Sequence, residues 1–132
     1  MTALWNGDEL HATQLLSDFL WNTISYNDYH EDYYHAFLVG MFKCIGYTVE
    51  SNKEYGLGRP DIVLKDRKNR QAIIIETKRS KTESAMPDSC DKAIYQIKNN
   101  CYAQGIPNGY RKILCYGIAF FQKSCLVKLM KE

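Results

Sequence analysis

Apolar positions recur at helical spacing twice near the start of the chain and then give way to short β-type runs. Leu10, Leu15, Leu16, Phe19 and Leu20 predict a helix over residues 8–21, with Asp8, placed after Asn6-Gly7, as its N-cap. Tyr34, Phe37, Leu38, Met41, Phe42 and Ile45 predict a second helix that starts after Asn27 or Asp28 and is stopped by Gly46. Residues 47–52, 61–64 and 72–77 read as strands. Between them, residues 54–60 carry two Gly and a Pro and form a turn, and residues 66–71 are polar enough for a hairpin tip. Residues 79–90 read as a mostly polar connection. Ala93, Ile94, Ile97 and Cys101 then predict a third helix over residues 91–104, with Gly105 as its stop. Strands over residues 112–120 and 124–129 close the chain, the first apolar enough to be buried on both faces. The element order is ααβββαββ, with no internal repeat.

At 132 residues, 45% hydrophobic and 24% charged, the chain is expected to fold as one α/β domain around one core. The longest apolar run, residues 113–121, is well short of the roughly 20 residues a membrane-crossing helix needs, so no membrane partner is expected. Asp8, Glu9 and Asp18 interrupt any secretory leader, which makes the cytoplasm the default location. Five cysteines (Cys44, Cys90, Cys101, Cys115 and Cys125) without a CxxC pair argue against a disulfide framework or a thiolate zinc site and are read mostly as buried thiols. A net charge of +2 neither requires nor excludes a nucleic-acid partner. Lys65, Arg67, Lys68, Arg70, Lys78, Arg79 and Lys81 crowd the middle, which is the pattern of a solvated hairpin tip and loop.

The chemistry is concentrated in Pro60-Asp61-Ile62-Val63-Leu64 and Ile73-Ile74-Ile75-Glu76-Thr77-Lys78. If these segments form an antiparallel hairpin with Lys65 opposite Ala72, the register places Asp61 opposite Glu76. Directly opposed residues share a face with Cβ atoms about 5 Å apart, so two like charges are forced together and a cation is expected between them. Lys78 lies two residues beyond Glu76 and points to the same side. The three Ile mark a central strand flanked on both faces, which leaves Glu76 at the mouth of a partly dry site. Hard oxygen ligands of this kind favour Mg²⁺, with Mn²⁺ as substitute.

Pro60-Asp61 followed by Glu76-Thr77-Lys78 resembles the signature of the PD-(D/E)XK nuclease superfamily. Residues 47–52, Gly56-Leu57-Gly58-Arg59-Pro60-Asp61, Ile74-Ile75-Glu76, Ala93-Ile94-Tyr95-Gln96-Ile97 and Tyr116-Gly117-Ile118-Ala119-Phe120 are similar to the nuclease-like domain found behind AAA-like ATPase modules in bacterial proteins. The resemblance implies a restriction-endonuclease-like αβββαβ core over residues 28–132 with a mixed central sheet. An N-terminal helical extension over residues 1–27 and an extra C-terminal strand are added to it. It implies divalent-metal-dependent hydrolysis of DNA or RNA, with Asp61, Glu76 and the Thr77 backbone carbonyl as metal ligands and Lys78 orienting or deprotonating the attacking water.

Glu31 matches an acidic position on the first core helix that reaches the metal, and equally fits a capping box with Asp28. Gln96 matches a position that touches the lysine side of the site, and equally an exposed helix residue. His35 reads better as a hydrogen-bonded histidine beside the sheet than as a catalytic group. Arg59, Arg79, Lys81 and, less directly, Lys65 are the candidates for holding the nucleic-acid backbone, a salt-sensitive contact without sequence information. A catalytically silent nuclease-fold module that binds nucleic acid or regulates a linked ATPase is the alternative, and a protein-interaction module built on the ten Tyr and two Trp is a third reading. Closing so small a fold over a duplex calls for two copies or extra domains, so a homodimer is among the expectations.

Overall fold

Alternation along β3 (Gln71–Arg79) sends Ile73 and Ile75 to one face of the sheet and Ile74 to the other, and all three are fully buried. That is the central strand the isoleucine run predicts. The computed structural model describes residues 2–23, 31–51 and 53–131. Among them five strands form one sheet in the order β1 (Thr48–Ser51), β2 (Ile62–Asp66), β3, β4 (Lys112–Phe121) and β5 (Ser124–Leu129). All neighbours are antiparallel except β3 and β4. The parallel pair is joined by a helical crossover, as it must be, because parallel strands cannot be linked by a tight turn.

Helix α3 (Glu31–Cys44) covers the Ile73 and Ile75 face through Tyr34, Leu38 and Phe42. Helix α4 (Met86–Asn99) lies on the opposite face, where Ile97 packs with Val63, Ala72, Ile74 and Cys115. Before them come α1 (Thr2–Trp5), a short helix with no counterpart in the sequence pattern, and α2 (Glu9–Thr23). Asp8 caps α2 as expected, accepting a hydrogen bond from the His11 N–H at 3.1 Å. The proposed start of the second helix at residues 27–28 lies outside the described residues. No helix among the described residues is long and apolar enough to cross a membrane.

The boundaries around the third helix differ from the sequence reading. The third helix starts at Met86, not Asp91, because Pro87 fits the first helical turn, where no intrahelical N–H bond is needed. Since β3 also runs on to Arg79, the connection shrinks to residues 80–85. The helix ends at Asn99 because Cys101 adopts a left-handed conformation; Gly105 instead closes a following 3₁₀ turn, Tyr102–Gly105. Cys90, Cys115 and Cys125 are buried, but Cys44 is exposed and Cys101 half-buried. Burial pushes the Cys90 and Cys125 thiols up to about 11 and about 12, so neither is a ready nucleophile.

An unpaired sheet edge exposes a row of backbone donors and acceptors. Here α2 covers the edge of β5 with polar side chains. Glu9 accepts from the Leu129 N–H at 2.6 Å, Thr13 from Val127 at 2.9 Å and Ser17 from Cys125 at 3.4 Å. The Thr13 and Ser17 hydroxyls also reach the Val127 and Cys125 carbonyls. The match is geometric: four helical residues rise about 6 Å, close to the roughly 6.6 Å of two strand residues. One helix row therefore keeps step with one strand edge.

Replacing Thr13 by Val keeps the side-chain volume but leaves the Val127 N–H without its partner. The expected cost is about 1–3 kcal/mol in urea unfolding. Thr13→Ser, which retains the hydroxyl, is expected to recover most of it.

Candidate functional site

The loop between β1 and β2 is held from two directions before it reaches Asp61. On one side, Lys65 Nζ lies 2.7 Å from Glu50 Oε1 and Lys53 Nζ 2.7 Å from Glu50 Oε2, while the Tyr55 hydroxyl also donates to Glu50. Burial alone would raise the Glu50 carboxyl, but these three donors outweigh it and hold the carboxyl down at about 2. On the other side, Leu57 N–H donates to the Asn100 carbonyl at 2.8 Å. The backbones approach so closely there that a Cβ on Gly56 would run into the Cys101 carbonyl, and one on Gly105 would sit 2.7 Å from the Gly56 nitrogen. Glycine is required at both positions, and Gly56 also has φ +57.

Lys65 is thereby corrected as a substrate contact: it is 7% exposed and ion-paired, so its charge is spent inside the fold. The basic stretch is also not one patch. Arg67, Lys68 and Arg70 occupy the β2–β3 tip, whereas Lys78, Arg79 and Lys81 lie at the other end of β3.

The observed register pairs Lys65 with Ala72 and Ile62 with Ile75, which brings Asp61, at the bend before β2, alongside Glu76. The Asp61 N–H donates to Glu76 Oε1 at 3.0 Å. Asp61 Oδ2 in turn accepts from the Thr77 N–H at 2.8 Å and the Thr77 hydroxyl at 2.9 Å. Glu76 is 1% exposed. Burial first, then the charge and hydrogen bonding of Asp61, push its carboxyl up to about 8, against the pull of Lys78. Lys78 Nζ donates to Gln96 Oε1 at 2.8 Å. Asp61, Glu76, Lys78 and Gln96 are thus brought together from a loop, a strand and α4.

The orientation of Gln96 is set by residues the sequence reading missed. Gln96 Nε2 and Asn100 Nδ2 both approach the hydroxyl of Tyr102, at 3.5 and 3.2 Å. Tyr102 is buried, and Gly58 lies against its ring, where a Cβ would meet ring atoms at 3.1 Å. The i, i+4 spacing of Gln96 and Asn100 was the available signal, but it carries meaning only once Tyr102 is known to fold back beneath them.

Glu31 opens α3 on the opposite face of the sheet, and its side chain, like Asp28, lies outside the described residues. Its backbone position is nonetheless informative. One turn later His35 Nε2 lies 2.7 Å from Ser51 Oγ, and Ser51 pairs with Ile62, next to Asp61. The first turn of α3 therefore lies at the Asp61 end of the sheet. Arg59 is exposed, 3.3 Å from Glu54, and Arg79 and Lys81 are exposed at the end of β3.

Two carboxylates forced together with one of them held protonated form a donor set that lacks its counter-charge. Such a set fits a hard divalent cation, which would stabilise both oxygens in their ionised form. Among the described residues no group of three or more His, Cys, Asp and Glu side chains that could hold a metal ion converges, and Asp61 and Glu76 are the acidic pair the register brings together. Asp61 and Glu76 would supply side-chain ligands.

The family model described as the PD-(D/E)XK nuclease superfamily matches residues 29–129. Comparisons with curated proteins and with solved structures gave no match.

The Glu76 carboxyl titrates near 4.5 when unfolded and near 8 when folded and metal-free. Between those values the folded chain keeps a proton that the unfolded chain has lost, so stability must fall as pH rises through that window. With a chelator present, urea unfolding is expected to show a loss on the order of 4 kcal/mol between them. Glu76→Gln is expected to flatten that slope.

Proposed function

The chain belongs to the PD-(D/E)XK nuclease superfamily, and from that premise we propose that it is a divalent-metal-dependent nuclease that hydrolyses phosphodiester bonds of DNA or RNA. Members of the superfamily are generally nucleases and typically use divalent metals. The observation that carries the reading is the convergence of Asp61, Glu76 and Lys78 at one end of the β2–β3 hairpin, with the Glu76 carboxyl displaced by burial and by its acidic neighbour.

Mg²⁺, or Mn²⁺ in its place, would be held by Asp61, Glu76 and the Thr77 carbonyl and would supply Lewis acidity toward a phosphate oxygen and acidify a water. The protein does the positioning. Asp61 is fixed by two donors from Thr77, so its other carboxylate oxygen is presented in a set direction. Glu76, once its proton has passed to solvent, would be the second side-chain ligand. Lys78, held by Gln96, places a positive charge where negative charge accumulates on the attacked phosphate and orients the water toward it. Glu31, in the first turn of α3, is the further acidic candidate that the resemblance implies. Arg59, Arg79 and Lys81 contact the phosphate backbone around the scissile bond, and binding through them weakens as salt is raised.

Asp61→Asn and Lys78→Ala are each expected to abolish Mg²⁺-dependent cleavage of a mixed DNA and RNA substrate panel while leaving the melting temperature within a few degrees. Unchanged cleavage in either would reject the assignment. Mn²⁺ at a hundredfold over its Kd is expected to add about 2.7 kcal/mol of stability to the wild type and little to Asp61→Asn. That stabilisation without any cleavage would assign the silent binding module instead. Tyr102→Phe keeps the ring in the core and removes the acceptor beneath Gln96. Its expected signature is a several-fold drop in kcat with KM unchanged, because Gln96, which holds Lys78, loses the hydroxyl beneath it.

A further inference from the structure

The stepwise match of α2 to β5 does not stop where β5 stops. Glu9, Thr13 and Ser17 meet Leu129, Val127 and Cys125 in turn. One more step of four residues along the helix brings Trp21 to Lys123, in the β4–β5 turn. Lys123 Nζ lies 5.3 Å from the centroid of the Trp21 ring. The core does not use this ring: α2 buries Ala12, Leu16 and Leu20, while Trp21 is 67% exposed, against 7% for Trp5.

The β4–β5 turn is at the same end of the sheet as Lys78. Because β3 and β4 are parallel, Lys78 pairs with Ala119 and Arg79 with Phe120, just before the turn. The Ser80 N–H continues the contact, donating to the Phe120 carbonyl at 2.7 Å. Two strand spacings, about 10 Å, separate β3 from β5. Alternation puts Arg79 on the face opposite to Lys78, the face shared by Phe120 and by Tyr34 of α3, whose rings stack at 4.4 Å. Half-buried Lys78 and Lys123 and exposed Arg79 and Trp21 therefore lie at one end of the sheet.

We propose that Trp21, Lys123 and Arg79 form a second contact surface for the substrate strand, in which Trp21 stacks on an unpaired base and the two cations hold the phosphates between it and the scissile bond. The inference rests on the nuclease reading and adds a substrate class to it: single-stranded DNA or RNA, or a single-stranded overhang. A base inside a duplex is covered on both faces by its neighbours and offers no face to a side chain, whereas every unpaired base offers one to an aromatic ring. The cation beside the Trp21 ring orients it and supplies positive charge for the adjoining phosphate. A stack on a base face reads no hydrogen-bond pattern, so the Trp21 contact is tolerant of sequence. Trp21 precedes the matched residues 29–129, whereas Arg79 and Lys123 lie within them.

The test measures binding of labelled oligo-dT and of its duplex with oligo-dA, in a chelator, to wild type, Trp21→Ala, Trp21→Tyr and Lys123→Gln, with melting curves and Mn²⁺-dependent stabilisation recorded for each. Trp21→Ala is expected to weaken oligo-dT binding roughly five- to a hundredfold, the range for loss of one base–aromatic stack, with duplex binding, melting and the Mn²⁺ response unchanged. Trp21→Tyr is expected to retain most of the affinity, and Lys123→Gln to lower both the affinity and its salt dependence. Equal oligo-dT binding by wild type and Trp21→Ala would overturn the inference, as would a wild-type dimer lost in Trp21→Ala. If wild type still cleaves in Mg²⁺ in either case, the nuclease reading stands without it. Wild type that neither binds nor cleaves any nucleic acid would overturn both.

Discussion

Two acidic side chains placed face to face on neighbouring segments are the constraint around which this fold is arranged. A surface pair of that kind would splay apart into water. Here it is prevented from doing so: Glu76 lies on a strand buried on both faces, and Asp61 is tied to the backbone and hydroxyl of Thr77. The electrostatic consequence is local and large, a carboxyl held near 8 instead of near 4.5. A fold tolerates such repulsion where a counter-charge can relieve it, and the nearest fixed cation, Lys78, is engaged with Gln96. Under the proposed function, a small divalent ion is the counter-charge that would relieve the repulsion.

Holding Asp61 in place takes more than the hairpin. Its segment leaves β1 through a loop that would be free to swing were it not pinned at both sides. Glu50, Lys65 and Tyr55 fasten it to the sheet, and the close backbone contact of Gly56 with residues 101–105 fastens it to the end of α4. The same region of α4 and its following turn carries Gln96, Asn100 and Tyr102, which set the direction of Lys78. The acidic side and the basic side of the site are thus fixed to one another through backbone contact remote from the chemistry. Helix α2 solves a separate problem, protection of the β5 edge, and its regular step carries an aromatic ring to the site end of the sheet.

Much of this was legible in the chain. The hairpin register could be read because Lys65 and Ala72 bracket a polar tip of defined length and the Ile run has only one way to be buried, as a central strand. The strand over 124–129 and the Asp8 cap were equally plain, since each depends on neighbours close in sequence. The third helix was misplaced for a physical reason: Met86-Pro87-Asp88 looks like a connection by polarity, yet proline is at home in a first turn. Lys65 was misjudged because its charge pattern resembled that of Arg67 and Lys68, and only Glu50 arriving from β1 distinguishes a buried pair from a solvated tip.

By itself the sequence determined the order of elements apart from α1, the central strand and the opposition of Asp61 and Glu76, because these follow from alternation and spacing over short stretches, where the backbone leaves few choices. The tertiary structure alone decided which of the seven clustered cations stay in water, that Tyr102 sits beneath Gln96, and that Trp21 reaches the end of the sheet beside Lys123. Those outcomes join residues dozens of positions apart. Their partners are chosen by packing across the sheet, and no local period in the chain encodes that choice.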